Sequence, residues 1–465
     1  MSGSLDETIA AVSTAPGRAG TAVVRVSGPD AVAVAVAMGV TGLQPRVATF
    51  ARVRHPDGTP LDHAIVTWFA APASYTGEDV VEISSHGGGL VPNLILDAAC
   101  AAGARPATAG EFTRRAYLNG KLDLVQVEAT QDLIEASSPA AHAAALFQLD
   151  GALSRRVEGL RSATLDLRAL LAYEIDFPEE DDGPVPRSRI EQAAEDVRVR
   201  IAEMLRNAPE GARLRDGVLT VFAGAPNAGK SSIFNSLLGS QRAIVTDTPG
   251  TTRDAIEADT SIEGYPFRLV DTAGVRPDAQ DIERLGIEVA RRYLAHADVV
   301  LLCIEAGREW SPQEKALAEE AEGFGATVVV LRTRADLTVA GPDSGGSREG
   351  GSDTVETEDL AAELPVSSVT GAGLEELRAL LVKISFCGLQ ESAEPALVTR
   401  ARHLRALEEA DRSVREFQAA VSSGLPAEIS ETHLADATLA LEEIIGVTDV
   451  EDLLGAIFDS FCVGK

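Results

Sequence analysis

Apolar residues recur along this chain with two periods, a short alternation that predicts strands and a wider spacing that predicts amphipathic helices. Thr21-Ala22-Val23-Val24-Arg25-Val26 reads as a strand closed by a Ser27-Gly28 turn. His63 to Phe69 and Val80 to Ser84 read as two more, with a turn at Tyr75-Thr76-Gly77-Glu78 before the second. His86-Gly87-Gly88-Gly89 then leads into a Leu- and Ala-rich helix ending near Gly103. Thr108-Ala109-Gly110-Glu111 has capping-box spacing and should open another helix. Together these predict an α+β module of about 120 residues, an ordinary domain size.

Beyond Asn119-Gly120-Lys121 the pattern turns helical. Ala129 to Leu170 is Ala- and Leu-rich, broken at Ser137-Ser138-Pro139 and at Gly151. Tyr173 to Asp182 is dense in acids and reads as a solvated loop between helices rather than a metal site. Arg187 to Arg206 sets Ile190, Val197, Ile201, Met204 and Leu205 on one helical face. A strand–loop–helix module follows from about Asp216 to Ile384, in which Thr338 to Asp359 reads as a flexible surface insertion. From Ala396 a helix returns, with Leu404, Leu407, Val414, Phe417 and Val421 as its buried stripe. A last helix passes Leu453-Leu454 and Ile457-Phe458 towards Cys462-Val463-Gly464-Lys465. Helices on either side of the middle module are expected to pack together, which makes that module an insertion in a helical domain.

The module's chemistry is phosphate binding. The strand Val218 to Ala223 enters a G-x-x-x-x-G-K-S loop with Gly224, Gly229, Lys230 and Ser231, and a helix with Ile233, Phe234, Leu237 and Leu238 follows. Glycines let backbone N–H groups from Asn227 to Ser232, through Ala228, close on phosphate oxygens, and the helix N-terminus adds its dipole. Lys230 would reach the outer phosphates and Ser231 would ligate Mg²⁺. In Gly250-Thr251-Thr252-Arg253-Asp254, Thr252 can add a second Mg²⁺ contact. Phe267 to Val270 reads as a strand delivering Asp271-Thr272-Ala273-Gly274, where Asp271 would hold Mg²⁺ through water and Gly274 sense the γ-phosphate.

Base choice is read after the strand Ala326 to Leu331. GTPases place N-K-x-D there, whereas this chain has Thr333-Arg334-Ala335-Asp336. Asp336 can accept two hydrogen bonds from guanine, and Arg334 can lay its stem along the ring. Thr333 lacks the asparagine amide, so Thr333→Asn is expected to tighten binding. Ser367-Ser368-Val369 stands where backbone N–H groups would meet guanine. Val275 occupies the position of a water-orienting glutamine, and no arginine finger is evident in cis.

Overall charge and composition narrow the partners. A net charge of −30 argues against a nucleic-acid-coating surface, because phosphate contacts need Lys and Arg, yet it leaves room for a local patch or a basic partner. Cys100, Cys303, Cys387 and Cys462 form no C-x-x-C pair, the start carries no basic-then-apolar signal, and no apolar run could span a bilayer. These features lead to the expectation of a cytoplasmic protein with reduced thiols and no membrane. His86 to Gly89 could suggest an oxyanion hole, but no G-x-S-x-G elbow accompanies it, and a strand-to-helix turn is the better reading. Arg25 and Glu82 interrupt apolar strands and are read as solvent-facing positions.

At this point the motifs converge. Over essentially its whole length the chain resembles the bacterial tRNA modification GTPase family MnmE, also called TrmE. The resemblance rests on Pro16-Gly17-Arg18, Tyr75 to Val80, Gly110 to Ala116, Asn119 to Leu124, Ile175 to Pro178, Gly224 to Ser231, Gly250 to Asp254, Asp271 to Arg276 and Phe461 to Lys465. It implies a multidomain α/β protein: an N-terminal α+β folate-binding and dimerisation domain over 1–120, a helical domain in two parts over 121–215 and 385–465, and an inserted Ras-like P-loop GTPase domain over 216–384. It further implies that GTP hydrolysis drives a heterotetramer of this homodimer with a MnmG-type flavoprotein. That complex would install a carboxymethylaminomethyl-type group at carbon 5 of the wobble uridine of certain tRNAs. A tetrahydrofolate derivative, in its 5-formyl or methylene form, would supply the one-carbon unit. By the same resemblance, K⁺ bound when two GTPase modules pair replaces the arginine finger, with Asn227, Thr246, Thr248 and Thr251 at its site and Glu283 positioning water. The folate site falls on Arg25, Glu82, Lys121 and Lys465. Two rivals remain at this stage: a GTP-switched ribosome-assembly or RNA-binding factor, and a free-standing folate enzyme with an accessory NTPase. Cys462, at helical spacing from Phe458 and close to Phe461, reads as a packing residue rather than a nucleophile.

Overall fold

A computed structural model describes residues 6–176, 186–239, 256–271, 291–337, 362–391 and 398–447, together with 394–395 and scattered positions from 454 to 464. The chain divides into two compact units. The first gathers Met1–Gln131, Gln148–Ala194 and Ser413–Lys465. Its sheet contains β1 (Ile9–Val12), β2 (Thr21–Ser27), β3 (Thr49–Arg54), β4 (Pro60–Phe69), β5 (Val80–His86) and β6 (Arg105–Pro106), in the order β3-β4-β5-β2-β1-β6. All neighbours are antiparallel except β1 and β6.

Alternation along β2 and β5 divides the sheet into two faces. Val24, Val26, Val66, Val81 and Ile83 form one, covered by α1 (Ala31–Ala37) and α2 (Val91–Ala101). Ile9, Ala11 and Ala107 lie on the other, packed with Phe112 of α3 (Glu111–Leu118) and with Tyr75. The helix expected after Thr108 does start at Glu111, whose carboxylate accepts from the Thr108 N–H at 2.9 Å, but the reciprocal cap from Thr108 is missing. Gly110, at φ 64°, precedes the helix, and no side chain caps it. A Cβ on Gly110 would lie 2.8 Å from the Phe458 carbonyl oxygen, so close approach as well as backbone conformation requires glycine.

The sequence breaks at Ser137-Ser138-Pro139 and Gly151 separate α4 (Leu124–Glu135), α5 (Pro139–Leu149) and α6 (Ala152–Asp176). Because α6 continues past Tyr173, the beginning of the acidic stretch is helical rather than loop, while its remainder lies outside the described residues. After α7 (Arg187–Leu205) and α8 (Ala208–Asp216) comes the nucleotide module, the second unit being Asp132–Phe147 with Glu195–Arg412. Its strands are β7 (Val218–Ala223), β8 (Ile256–Ile262), β9 (Tyr265–Asp271), β10 (Val299–Glu305), β11 (Thr327–Thr333) and β12 (Ala362–Pro365). They run in the order β12-β11-β10-β7-β9-β8, parallel except for β8.

All six residues of β7 are buried, as expected of a parallel strand covered on both faces. One face meets α9 (Lys230–Leu238) and α11 (Leu374–Glu391); the other meets α10 (Pro312–Gly323). The chain passes from β7 to β9 on one side and β10 on the other, so the carboxyl end of β7 is a topological switch point where ligands bind. Residues 338–359, read as an insertion, lie outside the described residues.

Beyond this module come α12 (Ala401–Ser422) and α13 (Ala427–Ile445). Leu407, Val414 and Phe417 of the expected α12 stripe are buried, with Leu404 and Val421 half-buried. Within the first unit α13 packs along α6, joined by ion pairs Arg161–Glu442 at 2.8 Å and Arg168–Glu431 at 2.7 Å. Elements from before and after the nucleotide module therefore share one packing surface, and the module is inserted. No helix among the described residues is long and apolar enough to cross a membrane.

Candidate functional site

At the end of β7 the chain must turn sharply towards α9. Gly224 permits this at φ 129°, and a Cβ there would lie 2.3 Å from the Cys303 carbonyl oxygen. Gly229, at φ 89°, occupies the N-cap of α9, while Asn227 has φ 60°. Lys230 curls back over the loop, its Nζ donating to the carbonyl oxygens of Gly224 at 2.8 Å and Ala225 at 2.7 Å. Burial lowers the lysine's pKa, an effect opposed by its neighbours Cys303 and Asp271. Burial also pushes the Cys303 thiol up to about 12, so at neutral pH it is a packed neutral group.

Asp271 ends β9, buried and in register with Phe222 of β7. Ser231 and Ser232 are exposed on the first turn of α9. Hydroxyl and carboxylate oxygens from Ser231 and Asp271 are donor types that suit Mg²⁺. Asn227 offers an exposed amide beside the same loop. Thr246, Thr248, Thr251, Thr252, Thr272, Ala273, Gly274 and Glu283 lie outside the described residues.

The base-reading residues stand at the end of β11. Thr333 is buried and its hydroxyl donates to the Ala228 carbonyl at 2.7 Å. Arg334, at φ 55°, donates to the Asn227 carbonyl at 3.0 Å and pairs with Glu305 at 3.0 Å. Its guanidinium thus grips the phosphate loop, a contact that the sequence reading, which assigned only its stem, did not anticipate. Asp336 accepts a 2.6 Å hydrogen bond from buried Ser367, which orients the carboxylate, and Ser368 is exposed.

Arg25 and Glu82, expected as solvent-facing positions, are half-buried and paired with each other. They are direct partners across β2 and β5, joined by 2.8 and 3.0 Å hydrogen bonds to one carboxylate oxygen. The guanidinium also lies 5.5 Å from the Tyr75 ring centroid and 5.6 Å from that of Phe112, a partly desolvated cation–π setting. Lys121 is exposed, donating to Pro72 O at 3.2 Å. Lys465 and Cys462 lie outside the described residues, but Val463 bridges Ala109, and a Cβ on Gly464 would lie 2.4 Å from Val12 O. Val12 adjoins Ala11, the register partner of Arg25, so the tail reaches the edge of this charged face. Paired acid and base groups among aromatic rings fit a flat heterocycle with an anionic tail.

Beneath that face lies a network the sequence reading missed. Arg115, only 2% exposed, pairs with Glu78 at 3.1 Å and Glu111 at 3.2 Å. Arg105 spans the same carboxylate, donating to Oε1, the oxygen Arg115 also uses, at 2.6 Å and to Oε2 at 2.9 Å. Burial alone would raise the Glu111 carboxyl, but hydrogen bonds from Arg105 and the Thr108 N–H, with the Arg105 and Arg115 charges, hold it at about 2. The available sequence signal was the charge inside Y-T-G-E-D and G-E-F-T-R-R-A, with Glu111 and Arg115 one helical turn apart. His86 to Gly89 does form the expected strand-to-helix turn, pinned by a 2.8 Å contact from His86 Nδ1 to Asp62.

Fold and site together define a Ras-like P-loop nucleotide-binding protein, its nucleotide module inserted into a helical scaffold that follows an α+β domain in sequence. Family comparisons sharpen this class. The MnmE helical domain matches residues 124–462, and the GTP-binding protein TrmE N-terminus matches residues 8–121. The chain is 43% identical to the tRNA modification GTPase MnmE of Azoarcus sp. strain BH72, over 99% of this chain and 98% of that one. It is 40% identical to the protein of the same name from Neisseria meningitidis serogroup A, over 98% and 99% of the two chains. Stutzerimonas stutzeri has another, 40% identical over 99% of both. The chain belongs to the MnmE family.

Proposed function

We propose that this chain is a GTP-hydrolysing tRNA modification enzyme of the cytoplasm. The observation that carries the reading is the conjunction of a base-reading Asp336 held by Ser367 with a phosphate loop, in a chain about 40% identical end to end to tRNA modification GTPases. The loop N–H groups and Lys230 would bind the phosphates, Asp336 the guanine edge, and backbone N–H groups at Ser367-Ser368 would donate to the guanine. Ser231, Asp271 and Thr252 would hold Mg²⁺, which when bound offsets charge on the phosphates. Asn227 with Thr246, Thr248 and Thr251 would hold K⁺ where two such modules of a homodimer meet, and Glu283 would position the attacking water.

In the first domain, proposed over 1–120, Arg25, Glu82, Lys121 and Lys465 would bind a tetrahydrofolate derivative. Pairing of Arg25 with Glu82 supports this, because each can exchange its partner for a ligand group of opposite character. Hydrolysis would drive a complex with a MnmG-type flavoprotein that builds the carboxymethylaminomethyl-type group on the wobble uridine. The test is nucleoside analysis of tRNA from a deletion strain. Loss of the modified uridine, restored by the parent chain but not by Lys230→Ala, is expected. Unchanged tRNA in the deletion strain would defeat the reading.

A further inference from the structure

We infer that Thr333 is a positioning residue for the nucleotide phosphates, its hydroxyl tying the base-reading strand to the phosphate loop. The inference rests on the guanine-nucleotide reading above. Thr333 ends β11 and is 1% exposed. Its hydroxyl has one proton to give, and of the two acceptors in reach, Ala228 O at 2.7 Å and Ile304 O at 3.4 Å, the nearer receives it. Its side chain also backs Gly229, where a Cβ would lie 3.4 Å from Thr333 Cβ. Arg334 takes the preceding carbonyl, that of Asn227, at 3.0 Å. Two successive loop carbonyls are therefore held by two successive residues of the base-reading segment.

A trans peptide is planar, with C=O and N–H pointing opposite ways. Holding the Ala228 carbonyl towards β11 fixes the direction of the Gly229 N–H, one of the donors a phosphate loop aims at its ligand. The missing asparagine amide is thus no gap. The threonine hydroxyl already makes a link to the loop, and Thr333→Asn would have to fit a larger side chain into a closed space.

Calorimetric titration of the full chain with GDP and IDP tests this. Inosine lacks the 2-amino group that Asp336 would read, so the pair separates phosphate positioning from base reading. Thr333→Val, which keeps the shape and removes the hydroxyl, should weaken both nucleotides by the same factor, on the order of fivefold, as for one net hydrogen bond. Thr333→Ser should restore parental binding. Should the valine variant fail to fold, Thr333→Ala removes the hydroxyl without pressing a methyl on the Ala228 carbonyl and gives the same readout. Parental affinity for GDP in a folded variant lacking the hydroxyl would overturn the inference, as would a loss confined to GDP. A parent chain that binds neither nucleotide would overturn the functional reading itself.

Discussion

Replacing Glu111 by glutamine should loosen the first domain while leaving the nucleotide module intact. Glu111 is 7% exposed and its carboxylate serves Arg105, Arg115 and the Thr108 N–H together. Its carboxyl sits at about 2 in the fold against an ordinary 4.5, and that difference corresponds to on the order of 3 kcal/mol at neutral pH. The sign follows from the direction. The folded value is depressed, so the stabilisation is complete above about 4.5 and is lost as pH falls towards about 2. Glutamine keeps the shape but leaves Arg115 with Glu78 as its remaining charge partner in this network, and breaking a buried pair typically costs about 3–5 kcal/mol. Urea-dependent hydrogen exchange, read separately on peptides from 105–121 and from 218–238, suits a chain of two compact units, because multidomain chains do not in general unfold in one step. The first set should lose protection at neutral pH and lose its acid dependence, while the second stays parental. Equal protection of 105–121 in parent and variant would refute the reasoning, because the depressed carboxyl would then be contributing nothing.

Hydrolysis of GTP should be faster in KCl than in NaCl at equal ionic strength, given Asn227 at the loop and no arginine finger evident in the sequence; equal rates would remove K⁺ from the proposal. Glu283→Ala should bind GTP almost as the parent does and hydrolyse it more slowly by on the order of 10²–10⁴, with single-turnover rates as the measure. Deleting Gly464-Lys465 should weaken folate binding and tRNA modification but spare GTP hydrolysis, whereas Cys462→Ser should be mild. Modification abolished by the serine variant, with folate binding intact, would give the thiol a chemical role instead.

What could be read in advance was what is local in sequence. The phosphate loop needs a strand, a glycine turn and a helix in immediate succession, and all three lie between Val218 and Leu238. The breaks at Pro139 and Gly151 were legible for the same reason. Helix α1 was not, because Ala-Val-Ala-Val-Ala-Val-Ala is apolar throughout and has no period that separates helix from strand. Arg25 and Glu82 stand 57 residues apart, and only the register of β2 on β5 turns two apparently exposed charges into a pair. The Glu78–Arg115 link and the Thr333 hydroxyl bond to Ala228 depend in the same way on tertiary placement that no spacing rule encodes.

The insertion itself shows how a nonlocal requirement is met by a few groups. A module placed inside another domain must bring its entering and leaving segments close together. Glu210, on the entering helix α8, accepts hydrogen bonds from the backbone N–H groups of Gly388 at 3.0 Å and Leu389 at 2.7 Å on the leaving helix α11. Phe386 interrupts α11 with a non-helical backbone, freeing those N–H groups from their usual acceptors, and its ring stacks on Tyr265 at 4.6 Å. A Cβ at position 388 would lie 3.0 Å from the Glu210 carboxylate, so glycine there allows the close approach. Arg213 adds a 3.3 Å hydrogen bond to Ser385 O on the same segment. Tyr265 begins β9, the strand that ends in Asp271, so the clasp at the module's base lies one strand length from the nucleotide site. Read alone, Glu210 is one acid among many on an exposed helix; its role follows from what it closes.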